Sequence, residues 1–183
     1  MNFEGTFNAL MTLAHEAGHS MHSFYSHKNQ PYHYSDYPIF LAEVASTFNE
    51  ELMFHYFMKQ NLKKEEKAFL INQKIEDVRA TFFRQVMFAE FELAIHSLAE
   101  KNHPLTPGLL KDIFHDLNVY YFGPAVEIGR VIDIEWARIP HFYNNFYVYQ
   151  YATGISAAHA LFEKVINGGE KEKSAYLKFL SSG

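Results

Sequence analysis

The sequence predicts an all-α, multi-helix fold, and three observations lead there. Ala, Leu, Glu, Lys, Met and Phe dominate, apolar residues recur at spacings of three and four, and no stretch alternates polar with apolar as a half-buried strand would. At 183 residues the chain has the size of one domain. Hydrophobic residues at 48% against charged residues at 20% provide for a packed core and argue against disorder.

Taken in order, a first helix is expected over about 6–26, ending before the turn-prone Lys28-Asn29-Gln30-Pro31. A loop rich in Tyr, His and Pro follows and closes at Pro38, which suits the first turn of a second helix over about 39–60. A long third helix is expected over 65–101, which contains neither Gly nor Pro, with Leu70, Val78, Phe82, Val86 and Phe91 as its core stripe. Thr106-Pro107 reads as a cap and first residue for a fourth helix ending near Phe122-Gly123. Pro124 and Pro140 bracket a segment with no clear period. A helix over about 141–167, stopped by Gly168-Gly169, and a last one from about 171 complete the chain.

Composition narrows the partners. The net charge is −5 and no Lys/Arg block forms a stripe, which argues against nucleic acid. With no cysteine, a disulfide framework is excluded and any metal site must use His and carboxylates. The N-terminal stretch lacks a basic region followed by an apolar run, so no signal peptide is expected. The longest stretch without Asp, Glu, Lys or Arg, Ile139 to Phe162, carries Asn144, Asn145, Gln150 and several tyrosines, too polar for a bilayer. A soluble, cytoplasmic protein without membrane or nucleic-acid partners is the expectation.

The chemistry centres on His15-Glu16-Ala17-Gly18-His19. On a helix, histidines at i and i+4 leave the same face one turn apart, so both can reach one ion. Glu16 is displaced around the helix by one residue and can address water on that ion without binding the ion, which is how HExxH serves hydrolysis. Leu10, Met11, Leu13, Ala14 and Ala17 surround the motif and predict a largely buried face, where imidazoles and a carboxylate without partners would be costly. The competing reading is a solvated face with two incidental histidines.

A catalytic zinc ion usually has three protein ligands and one open position. Glu43, one turn into the second helix in Leu41-Ala42-Glu43-Val44-Ala45, is the candidate third ligand; the alternative is an exposed residue favoured by the helix dipole. Glu50, seven residues on, either orients a ligand histidine or lies on a solvated face. His22, His27, His33 and His55 are alternative ligands, with His22 better read as structural. His33, in Pro31-Tyr32-His33-Tyr34, reads equally as a substrate contact or as surface.

These residues resemble a known family. The run His15 to His22, Pro31-Tyr32-His33-Tyr34, and Pro38-Ile39-Phe40-Leu41-Ala42-Glu43-Val44-Ala45-Ser46-Thr47 are similar to oligoendopeptidase F of the thimet oligopeptidase superfamily. Phe83-Arg84-Gln85, Phe91-Glu92 and the stretch Ala137-Arg138-Ile139-Pro140-His141-Phe142-Tyr143 through Gly154 agree. The resemblance implies a helical, zincin-type catalytic segment over 1–183 that cleaves short, unstructured peptides in a channel. It implies one Zn²⁺ per chain on His15, His19 and Glu43, with Glu16 as general base. It further implies a histidine and a tyrosine that hold the substrate carbonyl. His141 matches the histidine by its Arg-Ile-Pro-His setting. Tyr147, Tyr149 and Tyr151 compete for the other role, with Tyr151 preferred, and aromatic packing is the plainer reading of all three. Each such donor is worth about 2.7–4 kcal/mol in known cases. The Tyr-rich loop at 32–37 is a candidate peptide contact.

Family members are several times longer, with a large helical region before the motif. The chain is therefore expected to be a piece of such a protein, with Phe82, Phe83, Phe88 and Phe91 left uncovered. Self-association or marginal stability of the isolated segment follows. Two other readings compete: a metalloenzyme acting on another bond, and a non-catalytic helical module that keeps the zinc motif without enough channel to act.

Overall fold

The computed structural model describes residues 3–183, apart from the Ile39 side chain. Met1 and Asn2, within the stretch read above for a signal peptide, lie outside the described residues. All regular structure among those residues is helical, with no strand. None of the helices is long and apolar enough to cross a membrane. The chain divides into two compact units, one formed by residues up to Ile75 together with Thr153–Gly183, the other by Glu76–Ala152.

The first unit opens with α1 (Phe7–Asn29), whose start is fixed by Thr6: its hydroxyl accepts the Ala9 N–H at 3.1 Å. α2 (Ile39–Met58) follows Pro38, whose extended backbone (φ −65°, ψ 151°) turns the chain into the helix. Most of α3 (Lys64–Val78), most of α6 (Tyr149–Asn167) and α7 (Glu170–Leu180) complete the unit. Its core joins Val44 and Phe48 of α2 to Ala158 of α6, with Leu161, Phe162, Tyr176 and Phe179 packed around them. The Phe48 ring stacks on Tyr176 at 3.8 Å and is 2% exposed, a burial worth about 1.5–3 kcal/mol.

α1 buries a stripe that its apolar pattern does not announce. Its buried residues are Gly18, His22 and Ser26, spaced i, i+4, i+8. A Cβ at Gly18 would lie 2.5 Å from Ser46 Cα and 2.6 Å from the Ala45 oxygen, so only glycine permits this approach. The motif face is correspondingly less buried than expected: Leu13 is 45% exposed, and Glu16 and Ala17 are exposed as well. At Gly18 small size, not hydrophobicity, admits α2, while His22 stacks on Tyr37 and the Ser26 hydroxyl donates to the Ser35 oxygen.

The second unit contains a π-helical turn (Arg79–Phe83), α4 (Arg84–Glu100) and α5 (Pro107–Phe122). Two 3₁₀ segments, Arg130–Arg138 and Pro140–Tyr143, lead to the start of α6. α5 begins where expected, with the Thr106 hydroxyl accepting the Leu109 N–H at 3.2 Å. Met87, Phe88, Phe91, Phe114, Ile139 and Val148 form the core. Glu135, 7% exposed, receives both Arg84 and Arg138 and ties the first 3₁₀ segment to α4.

Three expectations are corrected here. The run 64–100 is helical as predicted, but it is interrupted by the π turn, where Arg84 N–H donates to the Arg79 oxygen. Residues 141–148 are not α-helical: a 3₁₀ turn and a bend precede Tyr149, with Phe146 at φ +57°. Phe88 and Phe91 are not left uncovered. They are 4% and 1% exposed, packed against Phe114 and Phe142, while Phe83 is 53% exposed.

Candidate metal centre

The close approach at Gly18 sets the site. It brings the α1 backbone against Ala45 and Ser46, next to the turn of α2 that carries Glu43. Asn49 reinforces the crossing by donating from Nδ2 to the Ala14 oxygen at 3.2 Å. His15 and His19, one turn apart on α1, then face Glu43.

The donor atoms lie close enough together to share one ion. His15 Nε2 and His19 Nε2 are 3.1 Å apart, His15 Nε2 lies 3.5 Å from Glu43 Oε2, and His19 Nε2 lies 4.0 Å from it. Tetrahedral ligands with metal–nitrogen bonds of 2.0–2.1 Å stand about 3.3 Å from one another. Among the described residues this trio is the set of His, Cys, Asp and Glu able to hold a metal, its ligand atoms all within 4.8 Å. All three side chains are only partly buried, at 26–28% exposure, which leaves an approach for solvent and substrate.

The ring orientation is controlled from behind. Glu50 Oε1 accepts from His15 Nδ1 at 2.6 Å, which fixes the proton on Nδ1 and turns the Nε2 lone pair toward Glu43 and His19. The same hydrogen bond raises the His15 pKa above 6.5, opposed by burial and aided by the charges of Glu50, Glu43 and Glu16. The pocket therefore favours a positive charge, and a proton and a metal ion would compete for it. Ser46, which sequence reasoning did not single out, donates to Glu43 Oε2 at 3.2 Å and to its backbone oxygen at 3.1 Å. Its signal was present, since it lies three residues along α2 on the same face as Glu43.

The other candidates sort clearly. Glu16 is exposed and lies outside the donor set. His22 is 1% exposed and stacks on Tyr37 at 3.6 Å, so it packs and does not ligate. Its Nδ1 has no hydrogen-bond partner, and its pKa is pushed down to about 4 by burial, then by the charge of His19. The His55 ring packs on Phe162, and His27 and His33 are exposed. In the loop at 32–37, Tyr32 and Tyr34 are 88% and 71% exposed.

In the second unit, His141, Tyr147 and Tyr151 form a cluster of their own. The Tyr151 hydroxyl lies 3.4 Å from His141 Nε2 and 3.4 Å from the Tyr147 hydroxyl. The His141 and Tyr147 rings stack, and the Tyr151 ring stands edge-on to both. Tyr149, the third tyrosine considered, is 47% exposed and opens α6.

Comparison with known proteins gives one consistent result. The sequence profile of Peptidase family M3 matches residues 1–183. The chain is 49% identical over 183 residues to oligopeptidase PepF of Bacillus subtilis, covering all of this chain and 27% of that protein. It is 45% identical to the chromosomal oligoendopeptidase F of Lactococcus lactis subsp. cremoris, again over the whole chain and 30% of the relative. The crystal structure of oligoendopeptidase-F from Enterococcus faecium superposes with a TM-score of 0.85 at 43% identity, covering 96% of this chain and 32% of that one. The chain thus spans less than a third of the length of these relatives. With the profile matched from end to end and the HExxH helix packed against its carboxylate partner, the chain belongs to peptidase family M3.

Proposed function

We propose that this chain is the catalytic segment of a cytoplasmic, zinc-dependent oligoendopeptidase that hydrolyses short, unstructured peptides. The observation that carries the reading is the trio His15, His19 and Glu43, spaced for one tetrahedral ion, with the His15 tautomer set by Glu50. The partners named for the relatives, oligopeptides, supply the substrate class.

In this reading His15, His19 and Glu43 hold one zinc ion. Bound zinc would acidify water and polarise the scissile carbonyl. Glu16, off the ligand face, takes a proton from the attacking water and delivers it to the departing amine. Glu50 keeps His15 in its ligating tautomer, and Ser46 steadies the Glu43 carboxylate. His141 and Tyr151 donate hydrogen bonds to the carbonyl oxygen as it gains charge, with Tyr147 packed beside them. The exposed Tyr32 and Tyr34 offer rings to the peptide.

The test is elemental analysis of protein purified without chelators, together with turnover of a quenched-fluorescent peptide. Near-stoichiometric zinc is expected. Glu43→Gln should weaken zinc affinity beyond the roughly 10–100-fold typical of losing an outer-shell partner. Wild-type affinity in that variant would remove Glu43 from the ligand set. Zinc binding without peptide turnover in the intact protein would favour the non-catalytic module.

A further inference from the structure

Glu92 is one of the most deeply placed carboxylates in the molecule, 2% exposed on α4, and neither the metal centre nor the proposed chemistry uses it. A carboxylate removed from water needs a strong donor. Here the donor is a backbone N–H 54 residues away: Phe146 donates to Glu92 Oε1 at 2.7 Å. Among the described residues, Phe146 and Asn102 are the non-glycine residues with positive φ, Phe146 at +57°. A residue with a Cβ adopts that conformation at a cost, and persists in it only where its surroundings enforce it.

The enforced turn sits where the tyrosine cluster is built. Tyr147 N–H donates to the Asn144 oxygen at 3.1 Å, closing a four-residue turn with the left-handed Phe146 at its third position. Gln150 and Tyr151 N–H then donate to the Tyr147 and Val148 oxygens at 3.2 and 3.3 Å, starting α6. On the upstream side, Asn144 N–H donates to the His141 oxygen at 3.0 Å. His141, Tyr147 and Tyr151 therefore hang on the two arms of one turn whose apex is Phe146. The Phe146 ring adds a contact to His96, 4.7 Å away on the same helix as Glu92.

We propose that Glu92 is a positioning residue for peptide hydrolysis: by accepting the Phe146 N–H it holds the turn that sets the Tyr147 and Tyr151 hydroxyls beside His141. The proposal rests on the role given above to His141 and Tyr151. Glu92 touches no substrate in this scheme. Removing it lets Phe146 relax to negative φ, rotates the peptide planes that launch α6, and draws the Tyr151 hydroxyl out of place. Because a carbonyl-oxygen donor acts mainly in the transition state, the loss appears in kcat and not in KM.

The experiment measures kcat, KM and zinc content of the intact protein on a quenched-fluorescent peptide. Y151F should lower kcat about 10²–10³-fold. E92A should lower kcat at least tenfold, with KM within about threefold of wild type and zinc content unchanged. E92Q keeps a carbonyl acceptor for Phe146 and should stay within about threefold of wild type. Phe146→Gly removes the steric objection to positive φ, so E92A/F146G should recover most of the kcat lost in E92A. E92A/Y151F should be no slower than Y151F alone by more than about twofold, since both changes remove the same contribution. Should E92A not fold, E92D, whose shorter stem withdraws the carboxylate from Phe146, takes its place in each comparison. Losses that multiply in the double variant, full kcat in E92A, or a drop in zinc content would overturn the role of Glu92 while leaving Tyr151 in place. Full kcat in Y151F would instead overturn the tyrosine role, and this proposal with it.

Discussion

The candidate metal centre and the tyrosine cluster are made in different ways. His15, His19, Glu43 and Glu50 all stand on regular α-helix, and their mutual positions follow from helical spacing plus one close crossing at Gly18. His141, Tyr147 and Tyr151 stand around a 3₁₀ turn and a left-handed residue, held by a carboxylate far away in sequence. A site on helices is specified by periodicity and is stiff. A site on irregular backbone is specified by tertiary bonds, and breaking one of them should displace it.

Four perturbations separate the clusters, beginning with the largest effect. Glu16→Gln should lower peptidase activity by about 10²–10⁴-fold while zinc is retained, because Glu16 is exposed and outside the donor trio. Joint loss of zinc and activity would assign it to the metal instead. Next, Tyr151→Phe should lower kcat about 10²–10³-fold with zinc affinity unaltered, separating the second cluster from the first. A fall in zinc affinity there would mean that the clusters are not independent.

Glu50→Ala should weaken zinc binding by about 10–100-fold, since His15 loses the acceptor that fixes its tautomer. Competition titration with a chelator reads this directly, and unchanged affinity would reduce Glu50 to a surface acid. The smallest effect concerns His22. Its folded pKa of about 4 lies below the ordinary 6.5, so the unfolded chain binds the proton more readily between those values. The stabilisation from keeping it neutral is complete above pH 6.5 and is lost as pH falls toward about 4. Melting temperatures at pH 7.5 and 5 should therefore differ less in His22→Phe than in wild type. Equal differences in the two proteins would show that His22 does not couple to folding.

The same contrast explains what could be read from the sequence. The HExxH helix, the helix bearing Glu43 and the Thr106 cap are local patterns, and each appears where its residues place it. The break before Tyr149 was hidden: nothing in Asn144-Asn145-Phe146 reveals that Glu92 will take an N–H there, and the apolar spacing continues through it as if helical. Burial on α1 departs from its apolar pattern for a related reason. Leu13 and Ala17 look like a contact face, but α1 buries Gly18, His22 and Ser26 instead, and α2 meets it at Gly18, where the missing side chain lets backbones meet. The aromatic stripe on α4 looked uncovered because its cover, Phe114 and Phe142, comes from separate elements.

Gly18 carries a consequence for anyone who would make this protein more robust. Glycine inside a helix weakens it by about 0.8–1.0 kcal/mol relative to alanine, and replacing it is a routine route to thermostability. At this position the route is closed. The added methyl would press directly on the backbone of Ser46 and the Ala45 oxygen, which cannot swing aside as a long side chain would. The helices would have to part, carrying His15 and His19 away from Glu43. The chain accepts a softer α1 in return for bringing two backbones within reach, so heat resistance and the approach of His15 and His19 to Glu43 pull this residue in opposite directions.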